Sequence, residues 1–513
     1  MSAERARYPW FAEGDLNGFF SLMLDNVTNL VLLNVILASG FGFPTEFVFT
    51  HMIPGTAFGV LVGDLAYTWM ARRLARRTGR GDVTAMPLGL DTPSTIGVAV
   101  AVLGPVYAAS KDPMVTWQVG MATLMLMGVV KLGLAFAGDW VRRVVPQAGL
   151  LGSIAGVGVA LLGLLPLVNV YKLPVVGLVA LGIVLYALVA KLRLPGRLPG
   201  AAVAVLAGTA LYYLLGATGL LGGAFHLPAL TLRFTPPVPT LGFVAGLEQA
   251  VDFLPLAIPF GLLTVVGGIN VNESARVAGD EYRTRDILLV EAVATLAAGL
   301  TGGVAQSTPY IGHPAYKAMG ARAGYTLATG LFIGLGGALG LVSFIVDALP
   351  DAAVAPILIF VGLEILSQTF AACPRAHYPA IGLAFLPVLA SLVMIFVGKF
   401  GVRADLLPPH LAAEHAVLVM LANGFILSAM LWGAIGAHLA DRRLGAAAAF
   451  LGLAAACSLF GVIHSVDPSG RLALPWAAPG PQGLHVAAGY AAVAGLLLLL
   501  RAIGPRAPEG TAG

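Results

Sequence analysis

A chain of 513 residues that is 58% hydrophobic and only 11% charged is not built as a soluble globule, in which about a quarter of residues are charged. The basic residues behind the formal net charge of +4 gather in the gaps between apolar runs, which argues against a nucleic-acid partner. Cys373 and Cys457 lie outside any CxxC, so no disulfide framework, metal site or cofactor is expected.

Apolar runs long enough to cross a bilayer as helices recur along the chain. In chain order they are read at 18–38, 47–70, 84–108, 114–137, 147–169, 173–190, 199–220, 250–272, 287–304, 307–320, 325–347, 353–371, 379–398, 414–439, 444–464 and 484–501. The third begins with Pro87, Gly89 and Pro93, and the tenth is too short to cross alone, so both are expected to be broken helices. The polar start lacks a signal-peptide layout, and the first helix is expected to insert the chain itself. With a cytoplasmic N-terminus and strict alternation, 22 of the 29 Lys and Arg fall on the inside, as the positive-inside rule requires. The expectation is a multi-pass protein of the cell (inner) membrane, embedded in the lipid bilayer, with both termini cytoplasmic.

Three local matches recur in the same order in both halves. Asn26-Val27-Thr28-Asn29 pairs with Asn270-Val271-Asn272-Glu273. The segment from Asp91 to Gly97 pairs with that from Ser307 to Gly312, and Pro146-Gln147-Ala148 with Pro350-Asp351-Ala352. Each of the last two prolines is followed twelve residues later by a glycine, Gly158 and Gly362. These matches set elements 1, 3 and 5 against 8, 10 and 12. Seven is odd, so the second copy enters from the opposite side; inverted repeats with broken helices mark secondary transporters. The fold class is therefore an all-α membrane protein with a seven-plus-seven inverted repeat. Its expected layout is a tail over 1–17, a first repeat over 18–220, an extracytoplasmic loop over 221–249, a second repeat over 250–440, and two additional helices with a tail over 441–513.

Ionisable and polar groups inside spans are costly and are candidate functional groups. Asp25, Asn26 and Asn29 share a face of the first helix. Asn270, Asn272 and Glu273 close the eighth; Glu273 is either a substrate- or proton-binding carboxylate or a boundary residue beside Arg276. The openings Asp91-Thr92-Pro93-Ser94-Thr95 and Ser307-Thr308-Pro309-Tyr310 set hydroxyls and a proline before helical runs, the chemistry of a helix start. Two such half-helix starts would offer N–H groups and positive dipole ends to a polar or anionic small molecule. Proton-coupling candidates are Glu273, Asp25 and His313, the last also readable as a buried histidine held by backbone. Asp64, Glu248, Asp252 and Glu291 read as boundary residues, and Lys131 lies within a span. Without a P-loop, HExxH or GxSxG, neither ATP-driven transport nor an enzyme has a constellation to stand on.

At these residues the chain resembles the nucleobase/ascorbate transporter superfamily, most of all the uracil/xanthine and hypoxanthine/guanine permeases. The likeness covers roughly residues 15–440. It is carried by Gly261 through Gly279–Asp286 to Ser307–Gly324, and by the openings Val145-Pro146 and Leu349-Pro350. The resemblance implies a core domain from elements 1–4 and 8–11 and a gate domain from 5–7 and 12–14. It also implies short antiparallel strands before half-helices 3 and 10, substrate between those half-helices, elevator-type alternating access and a homodimer. Uracil-type members carry a Gln-His pair in the first helix, near which Asp25-Asn26 stands here, a glutamate at the place of Asn270, and a second acid within the stretch where Pro309 to His313 holds none. The leading expectation is a proton-coupled nucleobase permease (a symporter); the alternative is a sulfate-type small-anion transporter, whose fold is shared, and a passive channel is the third reading.

Overall fold

The computed structural model describes residues 8–136, 144–192, 194–195, 200–225, 227–228, 234–310, 312–466 and 482–503. The first half runs α1 (Glu13–Val35), α2 (Thr45–Thr78), β1 (Leu88–Leu90), α3 (Thr92–Ser110), α4 (Pro113–Leu134), α5 (Gln147–Lys172), α6 (Pro174–Val189) and α7 (Gly200–Ala217). After α8 (Gly242–Val251) come α9 (Leu254–Val277), α10 (Thr284–Leu300), β2 (Ser307–Pro309), α11 (His313–Ala318), α12 (Gly324–Ala338), α13 (Leu341–Ala348) and α14 (Asp351–Ala372). The chain continues with α15 (Tyr378–Lys399), α16 (Pro409–Ala422), α17 (Phe425–Ala440), α18 (Leu444–Leu459) and α19 (Gln482–Ile503). Among the described residues ten helices are long and apolar enough to cross a membrane, or twelve if two bent pairs each count as one span. In hydrocarbon the backbone must satisfy its own polar groups, which is why apolar runs of this length become helices.

Local chemistry sets the helix ends. Asp112 caps α4, its Oδ1 accepting from the Met114 N–H at 2.8 Å, with Pro113 in the first turn. The runs read as single spans at 325–347 and 414–439 are each broken. α12 meets α13 at 89° and α16 meets α17 at 75°. The breaks fall at Gly340 and Gly424, whose φ angles of 76° and 67° only glycine adopts cheaply. The segment read as a loop over 221–249 ends in α8, which packs on α4.

The chain forms two compact units. The first comprises Met1–Val141 and Gly158–Glu364, the second Arg142–Val157 and Ile365–Gly513. In the first unit α2 is the central helix. Its Gly55, Gly59 and Gly63, one per turn, let it approach the start of β1 and the end of α10. A Cβ on Gly59 would come within 2.7 Å of Ala298 Cβ, and one on Gly63 within 2.7 Å of Leu88. On the opposite side Gly330, Gly334 and Gly337 of α12 admit Asp64, Leu61 and Ala57. A Cβ on Gly55 would overlap the Gly303 nitrogen and Thr301 oxygen, backbone atoms that cannot swing aside. Gly55→Val is therefore expected to destabilise by about 3 kcal/mol, the upper range for overpacking. A fluorescence melt in detergent that leaves the midpoint of this variant unchanged would contradict the packing.

In the second unit α15, α17 and residues 147–157 pack together through Gly149, Gly152 and Gly433. The α18–α19 hairpin joins α17, where the Trp432 Nε1–H donates to Tyr490 Oη at 2.5 Å and Tyr490 meets His464 at 2.8 Å.

Inside the first unit one repeat match meets its own copy, and β1, directly before the Asp91–Gly97 match, pairs with the start of the partner segment. β1 and β2 pair antiparallel, Gly89 opposite Thr308. Gly158 meets Gly362, where a Cβ on Gly158 would lie 3.0 Å from the Gly362 oxygen. Pro146 and Pro350 stand directly before α5 and α14, in the register the sequence suggests. The Pro93/Pro309 match is out of register. Pro93 lies in the first turn of α3, whereas Pro309 ends β2, and the first-turn proline of α11 is Pro314.

Candidate functional site

The strand pair joins the two broken elements in the middle of the first unit. Leu88 faces Pro309 and Leu90 faces Ser307. The ladder is extended by Asp91 N–H to Gln306 O at 2.9 Å and Tyr310 N–H to Pro87 O at 2.8 Å. The outer edge of β1 would leave Leu90 unpaired, and α1 supplies the partners. Asn26 Oδ1 accepts from the Leu90 N–H at 3.0 Å, and Asn29 Nδ2 donates to the Leu90 carbonyl at 3.4 Å. These amides stand where a third strand would be. Gly89 permits the approach, since a Cβ there would lie 3.1 Å from Asp25 Oδ2.

Asp91 is committed to helix α3. Its Oδ2 accepts from the Ser94 N–H at 2.9 Å and from Gln306 Nε2 at 3.4 Å. The expected free N-terminus of α3 is thus already capped by its own chain, and Pro93 removes a further N–H. What remains around the strand pair is a set of buried polar atoms without a hydrogen-bond partner: Asp25 Oδ2, Asn29 Oδ1, Thr95 Oγ1, Gln306 Oε1 and Ser307 Oγ. Buried polar groups are normally paired, so such a set suits a small polar solute that accepts from the two hydroxyls and donates to the amide oxygens. Thr92 and Ser94 are buried beside them, and Thr308 and Tyr310 are half-buried.

Behind β2 lies a pair the sequence reading passed over. Lys131 of α4 and Glu291 of α10 are both wholly buried and form an ion pair of 2.8 Å. The Lys131 ammonium also donates to the Ser307 carbonyl at 2.9 Å and to Thr295 Oγ1 at 3.2 Å. Gly268 of α9 leaves room for the Glu291 carboxylate, 2.9 Å from where its Cβ would be. Glu291 is therefore not a boundary residue, and Asp64, wholly buried beside the Leu88 backbone, is not one either. The signal was available: opposite charges inside two apolar runs must find each other.

Other sequence candidates lie elsewhere. Asn272 Nδ2 donates to Tyr282 O at 3.2 Å and Thr284 Oγ1 at 2.9 Å, tying the end of α9 to the loop before α10. The side chains of Asn270 and Glu273 lie outside the described residues. His313 is buried at the start of α11, its Nε2 3.2 Å from Thr84 O and 3.5 Å from Asp280 Oδ2. Asp280, wholly buried, also accepts from Lys317 at 2.7 Å and the Thr84 N–H at 3.0 Å, with Arg80 at 3.3 Å. Arg80 further donates to the Gly279 carbonyl. This cluster clamps the segment that leads into β1, and the Tyr282 hydroxyl adds a 2.6 Å bond to Thr84 O. Burial and the neighbouring Asp280 hold the Tyr282 phenol well above its ordinary pKa, so it stays a donor.

Asp280→Ala takes the buried acceptor from Lys317 and from the Thr84 amide, and is expected to cost about 3 kcal/mol, whereas Asp280→Asn keeps an acceptor for Thr84 and costs less; thermal melts of the two variants rank them. At the rim, the hydrogen bonds from Arg80 hold the Asp82 carboxyl below its usual range. The contribution of that contact is present above the unfolded-state value and is lost only as pH falls through the lowered one.

The paired strands between two broken elements, among ten to twelve apolar spans, match an inverted-repeat membrane transporter fold with core and gate domains. The comparisons with solved structures place it among the SLC26/BicA transporter folds. The chain is similar to the transmembrane domain of a cyanobacterium bicarbonate transporter, BicA, at 18% identity and a TM-score of 0.52, over 75% of this chain and 96% of that one. It is similar to SLC26A9 at 14% identity and a TM-score of 0.54, over 77% of this chain; it spans 66% of that chain. No protein-family model matches the sequence, and no curated protein matches it either.

Proposed function

We propose that this protein is a secondary transporter of a small anion, with Asp25 carrying a coupling proton. The observation that carries the reading is the composition of the strand-pair site. One carboxylate, Asp25, stands there with an unpartnered Oδ2, beside hydroxyls of Thr95 and Ser307 that have no acceptor. Asp91 is occupied as a helix cap, and the stretch from Ser307 to His313 carries no acid. A nucleobase gripped by two acids has only one of them here. An oxyanion accepts from hydroxyl donors, and a proton on Asp25 removes the charge that would repel it. The likeness to the transmembrane domain of a bicarbonate transporter supports the same side. This replaces the nucleobase permease as the leading reading.

The nucleobase reading keeps one supporting feature, the aromatic residue Tyr310 directly after β2, whose backbone extends the strand pair. Uptake into proteoliposomes, with labelled bicarbonate, sulfate, chloride and uracil or xanthine, separates the two. Saturable anion uptake stimulated by an inward proton gradient and indifferent to nucleobases is the expected result. Saturable nucleobase uptake without anion flux would overturn the proposal, and ohmic flux far above carrier rates would indicate a channel.

A further inference from the structure

On the side that the basic loops assign to the cytoplasm, the last turns of α2 and the first turns of α10 border a cavity of about 350 Å³. That volume lies at the small end of ligand-binding pockets. Three guanidinium groups line it, Arg73, Arg77 and Arg283, against two carboxylates, Glu281 and Asp286. Among the described residues none of the three arginines holds an ion pair; Arg73 instead lies over the Trp69 ring, 5.2 Å from its centroid. α10 begins at this wall with no side-chain cap on its amides. Planar guanidinium forks and a positive helix end are the chemistry that receives a phosphate.

The surroundings say which kind of phosphate. Leu65, Trp69, Arg73 and Arg77 follow one another at four-residue spacing along a single face of α2. Their order runs from apolar to basic, with Leu65 39% and Trp69 59% exposed. On α10 the cavity-lining Leu289 and Val290 lead on to Val293, which is 49% exposed. A basic cavity thus opens onto outward-facing apolar surface, with an indole at the junction, the position tryptophan favours at a membrane interface. A free phosphate uses only the basic half of this profile. A phospholipid uses both.

We propose that this cavity holds the phosphate headgroup of an anionic membrane lipid, with its acyl chains along Leu65, Trp69 and Val293. Tyr282 lines the same cavity and bonds to Thr84, so the bound lipid braces the segment that leads into β1.

The test uses the full chain in detergent and phosphatidylglycerol or phosphatidylcholine with brominated acyl chains. Saturable quenching of tryptophan fluorescence by the phosphatidylglycerol, absent with phosphatidylcholine and lost in Trp69→Phe, is the expected result. The double substitution Arg73→Gln/Arg77→Gln should weaken it by about thirtyfold, and Arg403→Gln, in the loop before α16, should leave it unchanged. Equal quenching by both lipids would overturn the proposal without recourse to any variant. Displacement of the lipid by millimolar glycerol phosphate or inorganic phosphate would overturn it in favour of a soluble phosphate site. An arginine variant that melts at the wild-type temperature without lipid, yet binds it unchanged, would also overturn it.

Discussion

Lys131→Met is expected to lose about 3–5 kcal/mol of stability, because it leaves the Glu291 carboxylate buried with no cation. It also releases the Ser307 carbonyl, which the ammonium holds at 2.9 Å. The damage should therefore reach the strand pair, and transport should fall with the melting temperature. The double substitution Lys131→Met/Glu291→Leu separates the two effects. Replacing a whole buried pair by apolar groups is often neutral or stabilising, so the double variant should fold again. If it transports as well as wild type, the pair only holds the helices together. If it folds but transports poorly, the ammonium on Ser307 positions the site. A stable single variant would contradict the buried pair itself.

Asp25→Asn is expected to abolish gradient-driven uptake while leaving the fold intact. Asparagine preserves the shape beside Gly89 but carries no exchangeable proton. In the proposed scheme a proton gradient then has nothing to act on. The rate should fall by at least about a hundredfold, the scale of losing a positioned proton-transfer group. Counterflow exchange, which needs no net proton movement, should survive to a larger extent. Uptake that keeps its full pH-gradient dependence in the variant would assign the coupling to another group. Gly89→Ala offers a second approach, since its Cβ would press on Asp25 Oδ2 at 3.1 Å; it should impair transport more than it impairs melting.

Much of this architecture was legible in the sequence because membrane crossing imposes long apolar runs, and the opening prolines Pro146 and Pro350 mark two of the repeat-related helices. The strand crossing was legible only as a resemblance. Three-residue strands carry no periodicity, and the visible proline match, Pro93 with Pro309, proved to be shifted against the backbone. Polar residues proved harder to rank. Asn26 and Asn29 stood out by crowding, yet their amides finish the edge of β1. Asp91 looked like a ligand group and is a cap. Lys131 and Glu291 each stood inside an apolar run, but only the packing of α4 on α10 makes them one unit. Asn272 and His313 sit in promising stretches, but helix register turns them toward the loop around Asp280. Composition tells which side chains are costly to bury; it does not tell which neighbour offsets the cost.

The meeting of Gly89 with Thr308, and of Gly158 with Gly362, bears on how such a chain arose. Corresponding segments that pair antiparallel straddle a local two-fold axis, and contacts of that kind are isologous, as between identical subunits. A half-length ancestor of seven spans, inserted in both orientations, would make the same two contacts as a homodimer in the membrane. The strand pair would then be older than the joined chain, and the differences now flanking it, a capped helix after β1 and hydroxyls with an ammonium behind β2, would be what the two halves acquired once fusion freed them from being the same.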